Sequence, residues 1–360
     1  MNKYLELFKS ANSKGLLDFS PSDIKLGKDN YSCAQIIDML RNDEINLETI
    51  FQRKSGLWDV ATKSKFIESM MLKFPIPPLY FNVIYRDKDQ KYPHWEVIDG
   101  LQRLSTIKEF VLGGNNGKQL ILDGMEFYPD LNGQSYDELP RHLIRNFESC
   151  QLQLHLVYPH TPKQVIRRIF ERINTTNLKL TDQEIRNAIY QGDVIFLLKK
   201  SSSLLLKYDI KIQDKRMGPQ ELVLRFYAFY CFGTSHYPKE SNLGSYLDQS
   251  IRALNELSIN ELNDLLDIYD DALYHCHKIF GVDCFKGASG RFNRSLFEVL
   301  MVFVARLSRN KKAELVKDNS KILTNYFSLL SDERFLKSVS SATSRIDNVK
   351  YRFQAIENLL

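Results

Sequence analysis

A strand, a tight turn and a helix start carry the side chains best suited to chemistry in this sequence. The apolar run at residues 95–98 leads into Asp99-Gly100, and Gln102 and Arg103 follow directly. The first turn of a helix offers backbone N–H groups that together carry about half a positive charge. Arg103 adds a planar guanidinium that matches phosphate oxygens. The turn is therefore a candidate anion site.

The same residues also suit an ordinary helix cap. Asp99 is placed to cap the helix, and Gln102, three residues further on, can complete a capping box. On this interpretation Arg103 pairs with a surface carboxylate. Its replacement is then expected to leave stability near the wild-type level, because exposed ion pairs contribute at most about 1 kcal/mol.

A second group of candidates lies in the segment FQRKSGLW, residues 51–58. Arg53 and Lys54 place two cations near Trp58, ahead of a helix predicted to begin at Asp59. Such a loop can contact phosphates while the aromatic ring stacks on a base. The alternative is a solvated basic loop with Trp58 in the core.

A third candidate is a helix with an arginine-rich face. The capping box TPKQ, residues 161–164, opens a helix whose apolar residues share one side. Its other side carries Arg167, Arg168 and Arg172, which can follow a nucleic-acid backbone. The plain alternative is a solvated charged surface. A further capping box at residues 181–184 starts the next helix.

Strands and helices alternate up to about residue 200 and position these candidates. Strands are predicted over residues 79–85, 95–98 and 151–158 from β-branched content or period-2 alternation. Apolar residues at three- and four-residue steps predict a helix over residues 101–111, which the following two glycines end. The turn at Asp99-Gly100 thus joins a strand to a helix.

Beyond about residue 190 the pattern is almost wholly helical. The chain of 360 residues is long enough for roughly two domains. The predicted fold class is α+β, with an α/β N-terminal domain at residues 1–198 and an all-α bundle at residues 199–360. The predicted helices of the second half cover residues 219–231, 241–257, 258–280, 291–307, 311–330 and 341–360.

Composition excludes several classes of protein. Hydrophobic residues make up 43% and charged residues 26%, which excludes disordered and fibrous chains. The net charge of +5 is compatible with a polyanionic partner without requiring one. The sequence has neither a signal-peptide core nor a run of about 18 apolar residues, so we expect a cytoplasmic protein without membrane contact.

Cysteine and histidine usage predicts no metal site. The five cysteines are odd in number, scattered and free of CxxC pairs, which argues against a disulfide framework or a zinc ribbon. His275 and His277, two apart on a predicted helix, point in different directions and are poorly placed to share a metal with Cys284. The cysteines are Cys33, Cys150, Cys231, Cys276 and Cys284.

Taken together, three segments resemble the N-terminal domain family of the GmrSD-type restriction endonucleases. They are FQRKSGLW, EVIDGLQRLST and FERINTTNLKLTDQEIRNAI, in matching order and spacing over about residues 35–195. The resemblance implies a ParB/sulfiredoxin-like α/β fold, in which the turn between strand and helix binds nucleotide phosphates. It also implies a role in prokaryotic defence against foreign or modified DNA.

The resemblance assigns roles to particular residues. Asp99 and Arg103 are the candidate catalytic pair, with Asp99 positioning a Mg²⁺-bound water or capping the helix. Leu101 departs from the family, which usually has Gln there, and this puts hydrolysis in more doubt than binding. Glu184 and Asn187 match the third motif. The residues assigned to NTP binding are Gln52, Arg53, Gly100, Gln102, Arg103, Thr106 and Asn174.

The leading prediction is an NTP-binding regulatory protein of a restriction or antiphage system that acts on or near DNA. NTP hydrolysis is left open, and so are the base and the oligomeric state. The runner-up is a DNA-binding adaptor of a separate nuclease subunit, without nucleotide turnover. A fused HNH nuclease is not expected, because the histidines form no His-Asn-His arrangement.

Overall fold

The computed structural model describes most of the chain. The described residues are 2–11, 21–47, 58–84, 93–114, 117–159, 161–162, 165–166, 169, 181–190, 192–210, 212, 216–240, 242–287 and 289–360. Among them, no helix is both long enough and apolar enough to cross a membrane.

Residue contacts divide the chain into two compact units. Asp18–Leu180 forms one unit, here called the sheet unit. Met1–Leu17 and Thr181–Leu360 form the other, here called the helical unit. The division falls before the predicted boundary at residues 198 and 199, and the first residues of the chain cluster with the second unit.

The sheet unit is built on one mixed sheet. Within its described residues, five strands are arranged in the order β1-β5-β3-β4-β2. The pairs β1–β5 and β3–β4 are antiparallel, whereas β3–β5 and β2–β4 are parallel. The strands are β1 Leu26–Ser32, β2 Ile45–Asn46, β3 Leu79–Ile84, β4 His94–Asp99 and β5 Gln151–Val157.

Helices pack on one face of this sheet. Alternation along β3 turns Leu79, Phe81 and Val83 into the core, while Tyr80 and Asn82 point to the opposite face. The helices are α2 Cys33–Arg41, α3 Val60–Met71, α4 Leu101–Val111 and α5 Arg141–Ser149, with short 3₁₀ turns at Pro21–Asp23, Pro129–Leu131 and Tyr136–Glu138. Their buried residues share one hydrophobic cluster with the core face of the strands.

In the described residues, the helical unit consists of α-helices and one 3₁₀ turn, Thr234–His236. Many of these helices begin at a polar N-cap residue whose side chain accepts a bond from the first helical turn. Ser258, for example, forms a full capping box with Glu261. The helices are α1 Asn2–Ala11, α6 Asp182–Ile189, α7 Asp193–Lys207, α8 Gly218–Phe232, α9 Leu243–Leu254, α10 Ile259–Phe280, α11 Arg294–Arg306, α12 Arg309–Lys317, α13 Ser320–Ser331, α14 Glu333–Ser340 and α15 Ile346–Glu357.

The structure confirms the α+β class and most of the predicted elements, with one helix divided. The single helix predicted over residues 311–330 is two helices, because the chain extends at Asp318 (φ −141°). The Asp318 carboxylate accepts bonds from the backbone N–H and the hydroxyl of Ser320. The Asn319 amide donates to the carbonyl of Ile279 at 2.8 Å, which anchors the break.

Candidate functional site

The DGLQR turn joins β4 to α4 at the C-terminal end of the strand. Gly100 lies between them with φ +106°, a left-handed conformation that glycine adopts without a steric cost. A Cβ atom at this position would lie 2.3 Å from Cδ2 of Leu79. The sequence therefore needs glycine here both for the backbone conformation and for the close approach of β3.

The helix cap differs from the sequence-based interpretation. Gly100, not Asp99, is the N-cap residue, and it has no side chain with which to cap the first helical turn. Asp99 is instead the last residue of β4. The predicted capping box of Asp99 and Gln102 is therefore wrong, because the helix begins one residue later than that box requires.

Arg103 is held by three acceptors. Its Nη2 donates to Oδ2 of Asp99 at 3.1 Å and to the carbonyl of Pro78 at 3.2 Å. Its Nη1 donates to the carbonyl of Pro77. The side chain is only 12% exposed, whereas that of Asp99 is 43% exposed. The guanidinium thus links the helix start to the segment that enters β3.

Electrostatics at Arg103 are dominated by burial. Burial lowers the pKa of Arg103, while the carboxylate of Asp99 and then the hydroxyl of Tyr80 raise it. An arginine remains charged despite such a shift. The three bonds use three of its five N–H donors, so among the described residues Nε and one hydrogen of Nη1 have no acceptor.

The first turn of α4 has the features of an anion site. The first intrahelical bond runs from the N–H of Leu104 to the carbonyl of Gly100. The amides of Leu101, Gln102 and Arg103 precede it, and no described side chain caps them. Nε2 of Gln102 is also buried without a hydrogen-bond partner among the described residues.

The other residues predicted to bind nucleotide fall into two groups. Thr106 is fully buried, and its hydroxyl donates to the carbonyl of Gln102 at 2.7 Å, so it faces its own helix. The remaining candidates and the arginine-rich face lie outside the described residues. These are Gln52, Arg53, Asn174, Arg167, Arg168 and Arg172.

The helix predicted to start at Asp59 is confirmed. The carboxylate of Asp59 accepts a bond from the N–H of Thr62 at 2.8 Å. Hydrogen bonding by the side chain of Thr62, and then by its backbone, lowers the pKa of Asp59. Trp58 is half-buried and packs edge-on against Phe66, with 5.6 Å between the ring centroids. This contact agrees better with the packing role considered for Trp58 than with a free stacking surface.

The part of the third motif that starts at Thr181 lies in the helical unit. The capping box of Thr181 and Glu184 is confirmed, and Glu184 also accepts a bond from Arg216 at 2.8 Å. Asn187 is fully buried and donates to Oε1 of Gln220 at 2.6 Å. Both side chains are therefore engaged inside this unit.

The acceptors that hold Arg103 were not predicted from the sequence. The consecutive prolines Pro77 and Pro78 lack N–H groups, but each has a carbonyl that needs a donor. Two carbonyls without matching N–H donors, next to a predicted strand, are the sequence signal from which a buried donor could have been predicted. In the part of the chain that is described, no cluster of His, Cys, Asp and Glu is arranged to hold a metal ion.

Comparison with known proteins agrees with the motifs. Residues 36–191 match the family model described as GmrSD restriction endonuclease, N-terminal domain. This match indicates a role in a restriction or defence system. A search of curated proteins found no match to the chain.

Proposed function

We propose that the domain at residues 36–191, which matches the model of the GmrSD restriction endonuclease N-terminal domain, binds a nucleoside triphosphate at the DGLQR turn. In this proposal the protein is a nucleotide-dependent regulator of a restriction or antiphage system that acts on or near DNA. The observation that supports it best is the uncapped first turn of α4 beside a guanidinium with two remaining donors.

Both the backbone amides of α4 and the guanidinium of Arg103 bind the phosphates. The three amides at the start of α4 donate to phosphate oxygens, and the helix dipole favours their negative charge. Arg103 acts partly as a positioning residue, because its bonds to Pro77, Pro78 and Asp99 fix the shape of the turn. Its remaining donors add charge-assisted bonds to the phosphates.

Asp99 fits a Mg²⁺ ion that arrives with the nucleotide. One of its oxygens is bonded to Arg103, and the half-exposed carboxylate keeps the other. Mg²⁺ is usually held by one or two carboxylates together with substrate phosphates. The ion would neutralise phosphate charge when bound. Leu101 supplies no polar group, so binding without rapid hydrolysis is the mode that we propose.

Calorimetric titration of the full chain with ATP, GTP and CTP in the presence of Mg²⁺ tests this function. We expect binding by the wild type and at least about tenfold weaker binding by Arg103→Lys, because Lys cannot reproduce the guanidinium fork. The matched control is Arg41→Lys, which makes the same change at an exposed arginine of the sheet unit. Circular dichroism checks that Arg103→Lys is folded at the titration temperature.

Two results would contradict the proposal. The first is a wild type that binds none of the three nucleotides, and the second is equal affinity in the wild type and Arg103→Lys. DNA binding that falls steeply with salt, without nucleotide binding, would favour the adaptor of a nuclease partner. In that case the arginine face at Arg167, Arg168 and Arg172 would be the first surface to mutate.

A further inference from the structure

Polar and aromatic residues form a row across the face of the sheet opposite the helices. His155 on β5 pairs in register with Lys28 on β1 and with Tyr80 on β3. Tyr80 in turn pairs with Asp99 on β4. Residues directly opposite each other on neighbouring strands project from the same face. Lys28, His155 and Tyr80 therefore share one face of the sheet. Asp99 pairs with Tyr80 beside a register shift between Tyr80 and Phe81, where the row reaches the DGLQR turn.

Two rings at the centre of this row are stacked. The rings of Tyr80 and His155 lie 4.7 Å apart between centroids, with 18° between their planes. Both residues are half-buried. Burial, and then the charge of Lys28, lower the pKa of His155, so its ring is mainly neutral at neutral pH. Each ring turns one face toward the other and keeps its second face for a further ring, and neither ring carries a charge.

The stacked pair is close to the candidate phosphate site. Asp99, next to Tyr80 in the row, bonds to Arg103, and the hydroxyl of Tyr80 is near enough to raise the pKa of Arg103. Neighbouring strands are about 4.8 Å apart, so His155 lies about 10 Å from Asp99, two strand spacings away. A nucleotide likewise separates a flat base from its phosphates by the length of a ribose.

We propose that Tyr80 and His155 form the stacking platform for the base of the nucleotide whose phosphates bind at the DGLQR turn. This inference rests on the proposed function and adds the part of the site that contacts the base. Aromatic side chains on a sheet face are a known means of stacking bases. Such stacking tolerates every base, because each has a π face. The platform therefore separates nucleotides from bare polyphosphates more than it separates one base from another.

The test compares ATP and GTP with inorganic tripolyphosphate, titrated calorimetrically into the full chain. Tyr80→Leu and His155→Leu should each weaken ATP and GTP binding about 5- to 100-fold, the loss typical of a removed base stack. Tripolyphosphate binding should change less than about twofold, because the turn is intact. Tyr80→Phe keeps the ring and should restore wild-type affinity.

The matched control is Phe127→Leu, which removes an exposed ring of the same unit outside the row. Unchanged ATP and GTP affinity in Tyr80→Leu and His155→Leu would overturn the platform but not the phosphate site. An equal loss for nucleotide and tripolyphosphate would also overturn it, because the two residues would then act on the turn. A wild type that binds neither kind of ligand would overturn the proposed function itself.

Discussion

Arg103 has a structural role in the fold beside the phosphate-binding role that we propose for it. From the sequence it is either a phosphate ligand or a surface residue paired with a carboxylate. In the structure its guanidinium is bonded to the carboxylate of Asp99, as the second interpretation expects. The guanidinium is buried, however, and it also donates to the carbonyls of Pro77 and Pro78. Those carbonyls would lose their donor if the guanidinium were removed. Replacing Arg103 is therefore expected to cost stability, which revises the expectation from sequence.

We expect Arg103→Ala to lower the free energy of unfolding by about 1–3 kcal/mol, the usual cost of leaving buried acceptors without a donor. Urea unfolding followed by circular dichroism measures this change. Arg41→Ala is the control, since it removes an exposed arginine and should leave the midpoint unchanged. Equal midpoints for Arg103→Ala and the wild type would show that the three bonds do not stabilise the folded chain.

Gly100 allows a second prediction at the residue scale. Gly100→Ala puts a residue with a Cβ atom into a left-handed conformation, which costs about 1–2 kcal/mol of stability. The added Cβ atom would also collide with the side chain of Leu79. Gly117→Ala is the matched control, because Gly117 has φ +71° and no atom within 4 Å of the added Cβ. The midpoint in urea should fall further for Gly100→Ala than for Gly117→Ala. Equal losses would mean that β3 moves aside without cost.

At the scale of elements, strands and helices with a regular spacing of apolar residues were predicted, and elements without such a spacing were missed. The alternation in β5 and the apolar steps in α4 predicted both elements with nearly correct ends. β1 was missed because its sequence LGKDNYS is polar and largely exposed, as suits a strand that lies at the edge of the described sheet beside β5. Its hydrogen bonds come from a neighbour far away in sequence, which no local pattern records.

In the candidate site, the features set by local sequence were predicted and the contacts between strands were not. The turn, its glycine and the helix that follows were visible in the sequence, because each depends on local preferences. The bonds of Arg103 to Pro77 and Pro78 and the stacking of Tyr80 on His155 depend on strand order. Strand order is set by packing across the whole unit, so these contacts were not available from spacing.

The polar side of α6 provides a prediction for the helical unit. Arg186 is 1% exposed and donates to Asp248 at 2.8 Å, with further bonds to Gln183 and the carbonyl of Gly244. Arg186→Met would leave Asp248 without this partner, and we expect a loss of about 3–5 kcal/mol in the free energy of unfolding.

The matched control for Arg186→Met is Lys207→Met, at an exposed ion pair with Asp270. Thermal unfolding of both variants distinguishes the buried pair from the exposed one. The melting temperature of Arg186→Met should fall clearly, and that of Lys207→Met should stay near the wild-type value. Similar melting temperatures would show that α6 does not depend on its buried arginine.

Glu221 on α8 predicts how acid affects the same unit. Burial alone would raise the pKa of Glu221, but Arg225, then Arg186 and Arg294, lower it below its ordinary value of 4.5. Because this pKa is lower in the folded chain than in the unfolded chain, the ionised carboxylate stabilises the fold above pH 4.5. This stabilisation is lost as the pH falls through the lowered pKa. Urea midpoints measured across the acid range should therefore fall less steeply in Glu221→Gln. A slope equal to that of the wild type would exclude this contribution.

At the scale of the whole molecule, sequence order and structural grouping do not coincide. The helical unit takes its first helix from the beginning of the chain and α6 from the residues before the predicted boundary. Phe8 of α1 is buried, with its ring 4.8 Å from that of Phe232 and 6.2 Å from that of Tyr246. A fragment covering residues 199–360 would therefore lack α1, α6 and the first residues of α7.

This grouping leads to a prediction that separates the two units. Phe8→Ala should destabilise the helical unit by about 3–5 kcal/mol, the usual cost of truncating a buried Phe. Hydrogen exchange should then speed up in α8 and α9, which α1 contacts, while β3 and β5 keep their protection. Phe196→Ala, at an exposed ring of α7, is the control and should change neither unit. Faster exchange in the strands but not in α8 and α9 would contradict the assignment of α1 to the helical unit.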